Sequence, residues 1–146
     1  MEHIEVYSLA AELERDADWI THAQALTLDT SRPNMGLKGT GGLIGSPQWW
    51  ESISSGAIPT FNRSGIIQRV YTVGQDSTNM PNEIEVLCSD GQIMKEGIYA
   101  NSERDILYYQ AGKEIDIKYA LDEMKALLPS GQKDYLELVL KVTVHQ

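Results

Sequence analysis

Cysteine is almost absent from this sequence of 146 residues, which contains Cys88 and no other. A single cysteine cannot form a disulfide within the chain, and disulfides are characteristic of secreted domains. Residues 1–5 are acidic and lack the basic stretch and apolar run of a secretory signal peptide. Apolar runs are only a few residues long, far short of the roughly 20 residues that a membrane helix requires. We therefore expect a cytoplasmic protein that does not bind membranes.

Motifs for metal, cofactor or catalytic chemistry are absent as well. No pair of histidines or cysteines has the spacing of a zinc site. A phosphate-binding P-loop needs a lysine and then a serine or threonine directly after its last glycine, but in the glycine-rich segment 36–45 Gly42 and Leu43 stand at those positions. Ile44 stands where a dinucleotide fingerprint needs its third glycine. We predict a structural loop, with an anion site at the start of the next helix as the alternative. The sequence predicts no metal, no cofactor and no enzymatic activity.

Positive charge is scarce, since 12 lysines and arginines stand against 21 aspartates and glutamates, for a net charge of −9. The basic residues are scattered singly, so no basic patch is available for a phosphate backbone and we predict no nucleic-acid partner. An acidic surface raises the rate of encounter with a basic protein. We therefore expect a basic protein partner, although solubility alone also explains the charge.

The first third of the chain has the pattern of helices. Residues 8–26 predict one amphipathic helix with Ser8 as N-cap, and its apolar stripe consists of Leu9, Leu13, Ala17 and Ile20. Residues 27–45 predict a long connection. Ser46 as N-cap and Pro47 at the first helical position then predict a short helix over 48–55, which Gly56 ends.

The rest of the chain has the pattern of strands. Extended segments are predicted over 66–73, 83–88, 93–99, 106–109, 115–119 and 135–144, with a polar connection over 74–82. Asp90-Gly91 predicts a tight hairpin turn of type I′, because this turn needs positive φ at both central residues. Residues 122–128 predict one or two helical turns before Pro129.

Together these patterns predict an α+β fold in a single domain over residues 1–146. N-terminal helices pack on a twisted antiparallel sheet of about five strands, which tends towards a small, partly open β-barrel. The helical and glycine-rich segment spans 1–58, and the antiparallel β segment spans 59–146.

Six residues are candidates for binding a partner or ligand: Trp49, Trp50, Glu83, Glu85, Tyr99 and Tyr109. Adjacent residues of a helix point about 100° apart, so one tryptophan can be buried while the other anchors a partner. The two glutamates share one face of a strand, where solvated charges are expected and acid–base chemistry is the alternative. The tyrosines have an apolar body and a polar tip, which suits the lining of a groove.

The function that these observations favour is non-enzymatic binding. A concrete version is an acidic inhibitor or immunity-type protein that blocks a basic protein partner. One alternative is a β-barrel that binds a small ligand or carbohydrate through Trp49 or Trp50 and nearby tyrosines. Another is a small enzyme without a recognisable sequence signature, whose carboxylates would converge in a cleft.

Overall fold

The computed structural model describes residues 2–74 and 80–146. The middle of the predicted connection 74–82, residues 75–79, lies outside the described residues. The elements in chain order are strand β1 (His3–Ser8), helices α1 (Leu9–Arg15), α2 (Ala17–Leu28) and α3 (Pro47–Ser55), strands β2 (Thr60–Tyr71), β3 (Glu83–Cys88) and β4 (Ile93–Gly97), a 3₁₀ helix (Glu103–Tyr108), and strands β5 (Glu114–Leu127) and β6 (Lys133–His145).

The helix predicted over 8–26 is two helices that separate at Asp16. The Asp16 carboxylate accepts a hydrogen bond of 3.2 Å from the backbone N–H of Trp19, so this residue caps α2 and cannot continue α1. Ser8, the predicted N-cap, is instead the last residue of β1. The non-helical backbone of Asp16 and the cap formed by its side chain therefore separate the two helices within the segment predicted as one.

Helix α3 begins and ends where the sequence predicts. The Ser46 hydroxyl accepts from the N–H of Trp49, Pro47 is the first helical residue, and Gly56 ends the helix with φ of 85°. The preceding connection is held by packing, because a Cβ at Gly45 would lie 2.2 Å from Cδ1 of Ile20. The requirement for glycine at this position is therefore structural.

The strands form one antiparallel sheet in the order β1-β6-β5-β2-β3-β4. The α+β class is confirmed, and the sheet is open rather than closed into a barrel, with β1 and β4 as its outermost strands in the described part of the chain. The sequence prediction missed β1, which pairs with β6 from His3 opposite His145 to Ser8 opposite Lys141.

Three local predictions in the β segment are wrong. Residues 122–128 do not form helical turns, because β5 continues to Leu127 and its Met124 forms a β-bridge with Leu37. Residues 106–109 lie in and just after the 3₁₀ helix, where Tyr109 N–H bonds the carbonyl of Ile106. The Asp90-Gly91 hairpin exists, but Cys88 pairs with Gln92 around a connection of three residues. Only Gly91 has positive φ there, which excludes a type I′ turn.

The chain divides into two compact units. The first comprises Met1–Ser8, Asn62–Lys118 and Leu140–Gln146, and the second comprises Leu9–Phe61 and Tyr119–Val139. The core of the first unit includes the fully buried residues Ile67, Ile84, Val86, Ile117 and Val144. The core of the second unit includes Leu9, Ile44, Trp49, Tyr119 and Ala120. In the described ranges, no helix is long and apolar enough to span a membrane.

Candidate interaction surface

The solvent-facing side of strands β2, β3 and β4, in the first unit, presents an ordered set of side chains. Successive residues of a strand point to opposite faces, so Ile84 and Val86 are fully buried while Glu83, Glu85 and Leu87 face outwards. The strand pairing places three rows of residues across the three strands: Ile66, Leu87 and Ile93; Arg69, Glu85 and Lys95; and Tyr71, Glu83 and Gly97. We call this surface the outer face.

The first row of the outer face is apolar and exposed. Ile66, Leu87 and Ile93 retain 40%, 38% and 64% of their accessible surface, although each is a large hydrophobic residue. Because Leu87 lies directly opposite both isoleucines, the three side chains form one contiguous strip. Contiguous exposed apolar surface bordered by polar residues is typical of a protein interaction site.

The other two rows of the outer face are polar and internally bonded. The Arg69 guanidinium lies 3.6 Å from the Glu85 carboxylate and 4.1 Å from the centre of the Tyr71 ring. The Tyr71 hydroxyl donates to the Glu83 carboxylate, and this bond raises the pKa of Tyr71 to about 12. Both predicted glutamates therefore lie on the outer face, each held by a side chain of β2.

A histidine and two carboxylates adjoin the apolar strip where β5 pairs beside β2. The Nε2 atom of His145 lies 2.5 Å from Oδ2 of Asp116, and its Nδ1 atom lies 3.2 Å from Oε2 of Glu114. The Ser64 hydroxyl donates to the other oxygen of Asp116. Partial burial works to raise the pKa of Asp116, but the hydrogen bonds from Ser64 and His145 outweigh it and lower that pKa. Asp116 is thus held as an anion at the border of the strip.

A pocket of about 320 Å³ opens between the strip and these carboxylates. Its lining includes the apolar side chains of Ile66 and Leu87 and the carboxylates of Glu114 and Asp116. No pattern in the sequence indicates this pocket, because its walls come from three strands whose register cannot be read from the sequence. Alternation within β3 could have identified Leu87 as an outward apolar residue, but not its two neighbours in the strip.

The two predicted tryptophans lie in the second unit and differ in exposure. Trp49 is fully buried, and its Nε1–H donates to Asp122 at 2.9 Å. Trp50 is half-buried, with its ring edge-on to Trp49 at 4.8 Å between centroids. Since a fully buried ring offers no surface to a partner, only Trp50 of this pair is accessible for binding.

The two predicted tyrosines lie together in the first unit. Tyr109 is buried, and its hydroxyl donates to the backbone carbonyl of Tyr99 at 2.6 Å. Tyr99 is half-buried, with its ring 5.3 Å from that of Tyr7. Burial raises the pKa of both hydroxyls. The burial of Tyr109 and its hydrogen bond to Tyr99 give this tyrosine a structural role.

Two further carboxylates, Asp122 and Glu123, lie buried side by side in the second unit. Burial raises the pKa of Asp122, against the opposing effect of the Trp49 hydrogen bond. The hydrogen bond from the Lys38 ammonium, followed by that from Thr40, lowers the pKa of Glu123. Among the described residues no buried side-chain polar atom lacks a partner, and no cluster of metal-binding residues is present. These acids therefore have structural partners.

Comparison with known proteins identifies the kind of protein to which these surfaces belong. Residues 3–145 match the family model described as immunity protein RhsI2. The chain belongs to this family. No match was found among the curated proteins. Membership makes the chain an immunity-type protein that blocks a toxin partner, which confirms the predicted inhibitor or immunity function. Immunity proteins are in general non-enzymatic.

Proposed function

We propose that this immunity protein neutralises a basic toxin by binding it on the outer face of β2, β3 and β4. The observation that carries the proposal is the contiguous exposed strip of Ile66, Leu87 and Ile93, with Glu85 and Glu83 in the rows beside it. Protein interfaces combine an apolar centre, which loses its water, with a polar rim. The outer face has both parts on adjacent strands.

The charge of the molecule supports a basic partner. With a net charge of −9, the protein attracts a positively charged surface at a distance and repels nucleic acid. Binding alone is sufficient to block a toxin, so the proposed function needs no catalytic step. The cytoplasm, predicted from the sequence, is the proposed place of action. Of the six candidate residues predicted from the sequence, Glu83 and Glu85 lie in the proposed interface.

Pairing of a toxin strand with the free edge of β4 is a less favourable mode of binding in the same region. The outermost strand carries Lys95, which is exposed, and Glu96, which lies opposite Ile84 on the inner face. Charged residues at these positions are a common protection of a sheet edge against pairing with another strand. The side chains of the outer face, rather than the free edge, are therefore the proposed contact.

Replacement of the exposed strip by polar residues of similar size tests the proposal. The double variant Ile66→Gln and Ile93→Gln keeps the net charge and removes apolar surface that the toxin would cover. We expect the dissociation constant for the purified toxin to rise by about tenfold or more, which corresponds to about 1.4 kcal/mol. Calorimetric titration measures this change, and protection of toxin-expressing cells reports the functional loss.

The second unit offers a matched control. Leu136 and Leu28 are 40% and 65% exposed, nearly the values of Ile66 and Ile93. The double variant Leu136→Gln and Leu28→Gln should alter the dissociation constant by no more than about twofold, and thermal melting should show both double variants folded. If the two double variants weaken toxin binding equally, or if Ile66→Gln with Ile93→Gln does not weaken it, the outer face is not the interface.

A further inference from the structure

We infer that the pocket between Ile66, Leu87, Glu114 and Asp116 receives one lysine or arginine side chain of the toxin. The inference rests on the proposed binding of a basic toxin to the outer face, because the apolar wall of the pocket belongs to the exposed strip. It adds a specific anchor to that interface and assigns its chemistry.

The shape of the pocket suits a single side chain. Its volume of about 320 Å³ is at the small end of ligand pockets, which favours one side chain over a cofactor. The exposed side chains of Ile66 and Leu87 supply apolar surface for the hydrocarbon stem that lysine and arginine both carry. A long basic side chain buries this stem and keeps its charge near polar groups.

The charge of the pocket is left incompletely balanced by the protein itself. In the described part of the chain, the only basic side chain at ion-pair distance from Glu114 or Asp116 is the imidazole of His145, which contacts both. The His3 ring lies against His145, with 4.0 Å between the ring centroids and 31° between the ring planes, and is the titratable group that faces His145 from β1. Two carboxylates that share one imidazole retain negative charge, so an arriving ammonium or guanidinium gains an attraction that a neutral side chain lacks.

The position of the Asp116 carboxylate is fixed before any partner arrives. Asp116 is oriented by the Ser64 hydroxyl on one oxygen and by His145 on the other. Its side chain remains 38% exposed and that of Glu114 remains 59% exposed, so both are accessible to a partner. A preoriented carboxylate loses little conformational entropy on binding, and this raises the affinity of each hydrogen bond that it accepts.

Removal of the two charges tests the inference. In the double variant Glu114→Gln and Asp116→Asn, we expect the dissociation constant for the toxin to rise by about tenfold or more, with a smaller dependence on salt. The matched control is Glu14→Gln with Asp18→Asn, which makes the same charge change on exposed helical positions of the second unit. The control should change the dissociation constant by no more than about twofold. If the Asp116 variant does not fold, Glu114→Gln alone keeps the test, since this carboxylate is mostly exposed.

A double-mutant cycle identifies the occupant of the pocket. Each lysine and arginine of the toxin surface is replaced by alanine, and the effect of Asp116→Asn on the dissociation constant is measured again. We expect one toxin variant in which Asp116→Asn no longer weakens binding.

If the strip variants weaken binding and the pocket variants do not, the pocket inference fails and the proposed function stands. If no basic toxin residue is coupled to Asp116, a basic occupant is excluded; if the toxin does not bind at all, both proposals fail.

Discussion

At the scale of single residues, the neighbouring carboxyl groups of Asp122 and Glu123 have pKa values shifted in opposite directions. Asp122 has its indole partner Trp49 but no cation at ion-pair distance in the described ranges, so burial raises its pKa above the ordinary 3.8. Glu123 accepts from the Lys38 ammonium at 3.2 Å and lies 3.9 Å from that of Lys133, and its pKa falls below the ordinary 4.5. The two groups therefore affect stability in opposite directions as pH changes.

The sign of each effect gives a prediction for unfolding. A carboxyl group with a raised folded pKa costs stability as pH rises through that pKa, whereas one with a lowered folded pKa loses its stabilisation as pH falls. We expect Asp122→Asn to become more stable relative to the wild type as pH rises from about 3 to about 7. We expect Glu123→Gln to become less stable relative to the wild type over the same rise. Urea unfolding at several pH values measures both differences.

Trp49 fluorescence provides the control for this pair of variants. Asparagine retains an oxygen that can accept from the Trp49 indole, so the emission of the buried ring should stay blue-shifted in Asp122→Asn. Parallel pH trends in the two variants would contradict the assignment of opposite pKa shifts. A red-shifted emission would show instead that the hydrogen bond itself had been lost.

At the scale of elements, the β3–β4 hairpin carries two of the three strands of the outer face, and its turn depends on one glycine. Gly91 has φ of 86°, in the region that L-residues avoid, while a Cβ there would meet no atom within 4 Å. Replacement by alanine therefore adds backbone strain without a clash. We expect Gly91→Ala to lower the free energy of unfolding by about 1 kcal/mol, measured by urea unfolding.

Gly97 in the same hairpin is the matched control. It does not have positive φ, and a Cβ there would lie 3.5 Å from the Tyr99 ring, an ordinary contact. Gly97→Ala should leave stability unchanged or raise it slightly, because alanine restricts the unfolded chain more than glycine does. A loss of stability at Gly97 equal to that at Gly91 would rule out backbone strain as the cause.

Elements with local signals were predictable from sequence, and elements fixed by distant partners were not. Helix α3 is specified by Ser46, Pro47 and Gly56, all within its own ends. β1 is a strand because it pairs with β6, more than 130 residues later, and nothing within His3–Ser8 indicates that partner. The second half of β5 has a helical composition, yet it is held extended where the segment around Leu37 pairs with it.

The same distinction applies to the candidate interface. Period-two alternation correctly placed Glu83 and Glu85 on one face of β3, because it needs only the local strand geometry. The strip and the pocket depend on register between strands, which the sequence does not determine locally. Of the tryptophan pair, the sequence predicted that one ring could be buried, but the identity of that ring depends on Asp122, which is 73 residues from Trp49.

At the scale of the whole molecule, the excess of acidic residues acts before any side chain touches the toxin. Twenty-one acidic residues against 12 basic ones give a field that reaches as far as the ionic atmosphere allows, about 10 Å at 0.1 M salt. Such a field accelerates the encounter of oppositely charged proteins and has little effect on the lifetime of the complex. The effect of charge should therefore appear in the association rate constant, and the effect of apolar contact in the dissociation rate constant.

Stopped-flow association of the purified protein and toxin tests this separation. As salt rises from about 50 mM to about 500 mM, the association rate constant should fall steeply and the dissociation rate constant should change little, because screening acts on the approach of separated charges. The strip variant Ile66→Gln with Ile93→Gln should keep the same salt slope for association and dissociate faster, since it loses apolar contact but no charge. An association rate that does not respond to salt would show that the toxin is not recognised as a basic partner, whichever face it contacts.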